Sequence, residues 1–154
     1  MARCWILIVV SFLLVACSAN LETTAVKEVN ASIDVEGIQL LQTNKDVESL
    51  IGYQGEYRRC IHGYNYDYEQ LELNIGFDGN TNKVRRITTY NATHSLFDFT
   101  VGDALVDVVT ILQDNGFSVA ENDAHRFEQD NLFIVLYTDD LETLRGYNVE
   151  FMYD

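Results

Sequence analysis

Thr43-Asn44-Lys45-Asp46-Val47-Glu48-Ser49-Leu50-Ile51-Gly52 carries the signals for both ends of a helix. Thr43 is a good N-cap, because its hydroxyl can accept from a free backbone amide of the first turn. Asp46, three residues on, can return a bond to the cap's own amide, and together they form a capping box. Val47, Leu50 and Ile51 are spaced by three and four, and Gly52 supplies a stop. The spacing predicts a helix over Asn44–Ile51. Gly102-Asp103-Ala104-Leu105-Val106-Asp107-Val108-Val109-Thr110-Ile111-Leu112 reads as a second helix at an offset of 61 residues. Ala104 stands at the capping position there, so Asp103 is read as the cap, and the helix runs on to a stop at Gly116.

The offset extends beyond the helices. Ile38, Leu40, Val47, Leu50, Ile51, Leu71, Leu73 and Ile75 recur as Phe99, Val101, Val108, Ile111, Leu112, Leu132, Ile134 and Leu136, and Asp46 recurs as Asp107. Two copies, 33–93 and 94–154, follow from this, with no linker between them and one shared core. Before each helix a short apolar strand is expected, over residues 37–41 and 96–101. After each helix the period falls to two. Leu71, Leu73, Ile75 and Phe77 alternate with polar residues or glycine, and Asp78-Gly79-Asn80-Thr81-Asn82 turns the chain into a strand over residues 84–90. Residues 131–137, a turn around 139–146 and residues 147–153 repeat that plan. The expected fold is α+β: two tandem β-α-β-β(-β) repeats, each a helix packed on an antiparallel sheet.

Composition narrows the function. The chain has 154 residues, 24 acidic against 10 basic, for a net charge of −14. At 47% hydrophobic and 22% charged it is foldable, so the acidity is not that of a disordered tail. A nucleic-acid partner is excluded, since phosphate contact needs a basic footprint. The charge is uneven: residues 33–93 hold 9 acids and 6 bases, net −3, and residues 94–154 hold 13 acids and 2 bases, net −11. Asp139, Asp140 and Glu142 fall in the acidic half, whose field would speed encounter with a basic partner; solubility is the alternative role. Tyr64, Tyr66 and Tyr68 alternate. If their strand continues into 70–76, they share an exposed face with Gln70, Glu72 and Asn74, opposite Leu71, Leu73 and Ile75, and form a contact ladder. A bulge near Asp67 would swap those faces.

The N-terminus carries an address. Arg3 precedes an apolar run over residues 5–16, too short to span a bilayer but suited to a secretory signal. Leu14-Val15-Ala16-Cys17 matches a bacterial lipobox, which makes residues 1–16 a signal peptide, Cys17 the lipidated N-terminus and 17–32 a tether. Cleavage after Ala19 and secretion is the alternative. Ser18 after the cysteine is the pattern of export to an outer membrane facing the periplasm. With Cys4 removed and Cys17 acylated, Cys60 has no partner, which excludes a disulfide framework. Cys60 is read as a small buried residue in a strand. Two sequons, Asn30-Ala31-Ser32 and Asn91-Ala92-Thr93, would suit a secreted glycoprotein instead.

Residues 43–52 and 102–112 resemble the strand-to-helix signature of the SmpA/OmlA and beta-lactamase-inhibitor-protein-like domains. In these a capped helix opens after a small residue and packs on an antiparallel sheet. The tandem layout is similar to the inhibitor protein, and the lipobox to the SmpA/OmlA envelope lipoproteins. The chain departs from the pattern at Leu41, Ala104 and Gln113, and has no proline after either helix. The resemblance implies the fold, a helix packed on an antiparallel sheet in each repeat.

No GxSxG, HExxH, GxxxxGK[ST] or paired-cysteine motif is present, and the histidines are scattered, so no catalytic residue, metal or cofactor is expected. Residues 78–82 place oxygens as a calcium loop would, but Lys83 replaces the required glycine, so a hairpin turn is expected. The reading is a lipid-anchored envelope protein that binds a basic enzyme or toxin as an inhibitor or immunity protein. Alternatives are an assembly or scaffolding lipoprotein and, last, a hydrolase whose site forms only in the fold.

Overall fold

The computed structural model describes residues 22–152. In chain order the first half has α1 (Thr24–Ser32), β1 (Ile33–Asp34), α2 (Asn44–Ile51), β2 (Glu56–Cys60), β3 (Gly63–Tyr68), β4 (Leu73–Asp78) and β5 (Val84–Thr89). Next come β6 (Ser95–Leu96), β7 (Phe99–Thr100), α3 (Leu105–Asp114), β8 (Ser118–Ala120), β9 (Asp123–Gln129), β10 (Leu132–Tyr137) and β11 (Gly146–Phe151). The architecture is α+β, with three helices and a large antiparallel sheet among the described residues.

α2 forms with the expected ends. The Thr43 hydroxyl accepts from the Asp46 amide at 3.3 Å, and the Asp46 carboxylate accepts from the Thr43 amide at 3.1 Å and its hydroxyl at 2.7 Å. Gly52 closes the helix at φ +83°, a left-handed geometry that glycine adopts without steric cost. α3 differs at its start. Ala104 occupies the N-cap and supplies no side-chain bond, while Asp103 accepts from the Thr100 amide at 2.8 Å and so serves the preceding turn rather than the helix. At its other end the Gly116 and Phe117 amides donate to Gln113 and Leu112 carbonyls, both at 3.0 Å, around Gly116 at φ +87°. This is a Schellman closure, with Leu112 and Phe117 both buried.

Two expectations are corrected. Residues 24–32 are not tether but helix. Ala25, Val26 and Val29 on α1 are fully buried, so the packed body begins before Ile33. Nor are residues 37–41 a strand: Glu36 and Gly37 have φ +53° and +71°, and the Ile38 amide closes a tight turn onto Val35 at 2.8 Å. Residues 96–101 are likewise broken, into β6 and β7, by Phe97 and Asp98 at φ +48° and +67°. Two positive φ values in succession are the geometry of a type I′ turn, which strand-forming side chains alone do not reveal.

β1, β6 and β7 make a small three-stranded sheet. The large sheet has the order β2-β3-β4-β5-β11-β10-β9-β8, so α2 is followed by one run of four strands and α3 by another. The runs meet at β5 and β11, paired antiparallel from Tyr147 opposite Thr89 to Glu150 opposite Arg86. Each helix start is stitched to the chain entering a central strand. Leu41 donates to Val84 at 2.8 Å, Val84 to Gln42 at 2.8 Å and Asn44 to Asn82 at 3.0 Å. In the second half Gly102 donates to Leu144 at 2.8 Å, Leu144 to Asp103 at 3.0 Å and Leu105 to Glu142 at 2.8 Å.

Candidate functional site

The strand register assigns the faces of the sheet. Directly opposed residues of an antiparallel pair share a face. Tyr66, Ile75, Ile87, Val149, Ile134 and Phe127 therefore form one row across the sheet. Tyr68, Leu73, Thr89, Tyr147 and Leu136 form the next. Both rows join the helix residues Val26, Val29, Val47, Val108 and Leu112 in a single core, apart from Thr89, which is polar but buried.

This corrects the tyrosine ladder. The chain does not run straight from β3 into β4. A 3-10 turn over Glu69–Leu71 and Glu72 at φ +49° fold it back, so Tyr64, Tyr66 and Tyr68 face the same side as Phe77, Ile75 and Leu73. Tyr66 and Tyr68 are only 6% and 1% exposed and belong to the core. Tyr64 stacks on Phe77 at 5.2 Å, and burial raises its pKa, as it does that of Tyr68. Tyr57 on β2 covers this cluster from the edge, 5.7 Å from Tyr64 and 5.8 Å from Tyr66.

Among the described residues the opposite face is built largely of polar pairs, with Phe133 and Val135 on β10 between them. Arg58 holds Asp67 at 2.7 Å, and Asn74 donates to the same carboxylate. The Thr88 hydroxyl donates to Asn148 at 3.0 Å. The register between β4 and β5 shifts at Gly76 and Phe77, where Arg85 is the extra residue. Arg85 then pairs with Glu150, while Arg86 reaches Asn74 at 3.4 Å. Farther along, the Arg126 guanidinium lies 4.0 Å over the Phe133 ring and 2.6 Å from Glu128.

At one end of this face two grooves meet at Tyr90. The larger, about 1090 Å³, is lined by Tyr53, Glu56, Arg58, Asp67, Glu69, Glu72 and Tyr90 among others. These seven carry four carboxylates and one guanidinium. The smaller, about 480 Å³, is lined by Tyr90, His125, Tyr137, Asp139, Leu141 and Arg145 among others. Tyr90 and Tyr137 stack at 5.6 Å across Gly146. A Cβ on Gly146 would lie 2.4 Å from the Tyr90 ring, so the glycine makes room for the stack. Burial raises the Tyr137 pKa, and the neighbouring Tyr90 adds to the rise.

The three acids of the second half sit in the exposed loop before β11. Asp140 accepts from the Glu142 and Thr143 amides at 3.0 and 2.9 Å, which lowers its pKa, and so it shapes the loop. Arg145 lies 3.6 Å from Asp139 and 3.7 Å from Asp140. Glu142 is exposed beside them. Asp139 lines the smaller groove, and none of the three lines the larger one.

Other expectations resolve locally. Cys60 is in a strand, as expected, but exposed rather than buried, because β2 is at the sheet edge. The Asp78 loop is a hairpin turn in which its carboxylate accepts from the Asn80 amide and from the Thr81 amide and hydroxyl. Both sequon asparagines are structural: Asn30 brackets Leu40 through its amide and carbonyl, and Asn91 donates to the Leu71 carbonyl. His94 is buried between the Thr89 hydroxyl at 2.7 Å and Glu36 at 3.2 Å. Among the described residues no group of three His, Cys, Asp or Glu side chains converges as for a metal ion. None of the described helices is long and apolar enough to cross a membrane. Cys17 and residues 1–16 lie outside the described residues.

Tyr53, Glu69 and Tyr90 escaped the reading of the sequence, and Glu72 was placed on a tyrosine face rather than in a groove, because these residues come together only at a turn, a linker and a strand end. One signal was present: the pair Arg85-Arg86 interrupts the alternation of β5 where the register shifts.

No family model matches this chain, and no curated protein matches it. A solved structure does: an extracellular protein containing an SCP domain, from Bacillus anthracis str. Ames, at TM-score 0.58 and 12% identity. The match covers 72% of this chain and 43% of that one, so the chain spans less than half of that protein. At this identity the likeness is one of fold alone.

Proposed function

We propose that the protein is a lipid-anchored, non-catalytic envelope protein that binds a basic protein, in the manner of an inhibitor or immunity lipoprotein for an enzyme or toxin. The larger groove carries this reading. It sets four carboxylates against one guanidinium beside the exposed rings of Tyr53 and Tyr90, a surface matched in charge and aromatic area to Lys- and Arg-bearing segments. The face opposite the described helices extends it with the Tyr90–Tyr137 stack. The address rests on Leu14-Val15-Ala16-Cys17 and Ser18, and an envelope or secreted location agrees with the extracellular neighbour in fold. We read the body as two tandem repeats. Support comes from the paired runs of four strands, the matching turns at residues 35–38 and 96–99, and the stitches at Leu41 and Gly102.

The test is retention of envelope proteins by the full chain, purified in detergent, at about 50 and about 500 mM salt. A basic protein held at low salt, released at high salt, and lost to a Glu69→Gln/Glu72→Gln/Tyr90→Ala variant is the expected result. Retention of nothing specific at either salt overturns the binding reading. Salt-independent retention by both forms favours an assembly role instead. Mass spectrometry of the mature N-terminus checks the anchor: an acylated Cys17 is expected, and an unmodified chain beginning at Asn20 refutes it.

A further inference from the structure

We propose that the protein pairs with a second copy of itself through β2, antiparallel and centred on Tyr57, so that the two large sheets continue into one. The two edges of the sheet differ. β8 has three residues and a register shift between Val119 and Ala120, both of which blunt an edge. β2 has five residues, pairs with β3 in unbroken register from Glu56 opposite Asp67 to Cys60 opposite Gly63, and is exposed at every position. Among the described residues it has a neighbouring strand on one side. Tyr57, 56% exposed, and Ile61, 94% exposed, stand on it or beside it.

The occupant and register follow from charge. A two-fold axis perpendicular to the sheet keeps the helices of both copies on one side, and lets a residue face only residues of its own parity. Centring on Glu56, Arg58 or Arg59 sets like charges opposite each other. Centring on Tyr57 sets Glu56 of each copy opposite Arg58 of the other and lays the two Tyr57 rings together at the axis. Within one chain Arg58 holds Asp67 at 2.7 Å through Nε and lies 3.5 Å from Glu56 through its other nitrogen, so the exchange trades only the longer of its two contacts. Farther out, β2 edges the half of the chain with net charge −3, and the half with −11 lies at the far end of the strand order. Two copies joined at β2 thus hold their acidic halves as far apart as the sheet allows. A five-residue edge buries less than the ~1,600 Å² of a standard interface, so the pair is concentration-dependent.

Cross-linking tests the register in the full chain. In a Cys60→Ser background, Tyr57→Cys oxidised with copper-phenanthroline is expected to give a covalent dimer on a non-reducing gel. Val106→Cys, at a 70% exposed site on α3, is expected to give no more than the Cys60→Ser background. In sedimentation equilibrium, Glu56→Arg should weaken self-association on the order of tenfold, and Glu56→Arg/Arg58→Glu should restore it. The proposal is overturned if Tyr57→Cys cross-links no better than Val106→Cys. It is equally overturned if native Cys60 cross-links as well as Tyr57→Cys, or if the double reversal fails to recover association.

Discussion

Tyr147 is fully buried, edge-on to Phe99 at 5.4 Å, and its hydroxyl has no hydrogen-bond partner among the described residues. An unsatisfied buried hydroxyl is costly, so Tyr147→Phe is expected to stabilise the protein by about 1 kcal/mol in urea unfolding. The same burial raises the phenol's pKa well above its ordinary 10.0, and the nearby Asp34 carboxylate raises it further. The fold therefore keeps this tyrosine neutral when an unfolded chain would ionise it. That contribution is intact below pH 10 and is lost as pH rises above it. Thermal melts should fall steeply above pH 10, and less steeply in Tyr147→Phe. Asp78 works in the opposite direction. Burial raises its pKa, but the bonds from Thr81 and Asn80 outweigh this and leave it lowered from 3.8. Its contribution is present above pH 3.8 and lost as pH falls below, and Asp78→Asn should flatten that acid slope.

At the scale of elements, the two halves differ most in their caps. Thr43→Ala is expected to cost about 1 kcal/mol, and Ala104→Ser to gain about 0.5 kcal/mol by giving α3 the cap it lacks. Both are readable as shifts in urea midpoint. Gly146→Ala drives a methyl into Tyr90 and to 2.8 Å from the Thr89 carbonyl, at an expected cost of about 1–3 kcal/mol. Tyr90→Ala should recover part of that loss, since the carbonyl contact remains. α2, with caps and spacing in agreement, was fully legible in the sequence; the strands β4, β5, β10 and β11 were legible in outline, although Leu71 lies in the turn before β4 and Arg85 breaks the alternation of β5. α1 was not, because its stripe rests on the small Ala25 and on two valines, Val26 and Val29, within a polar stretch. The tyrosine face was misread for a geometric reason. Parity along a strand survives only while the strand is straight, and Glu72 in a left-handed conformation turns the chain between Tyr68 and Leu73. The groove was illegible because its acids and rings belong to segments that meet only after that turn.

For the whole molecule, the charge division along the sequence becomes a gradient across the sheet, since the strand order keeps each half on its own side of the β5–β11 pair. That pair also fixes the order in which the protein can be completed. β11, the last of the described strands in chain order, lies in the middle of the sheet and not at its rim. A chain delivered N-terminus first has β2 to β5 on one side and β8 to β10 on the other, and the two are joined only once β11 has emerged. A chain ending before Leu144 loses the bridge between two half-sheets rather than an edge strand, and is expected to show neither cooperative melting nor protease resistance. A truncation of similar length that removed an outer strand would be far milder.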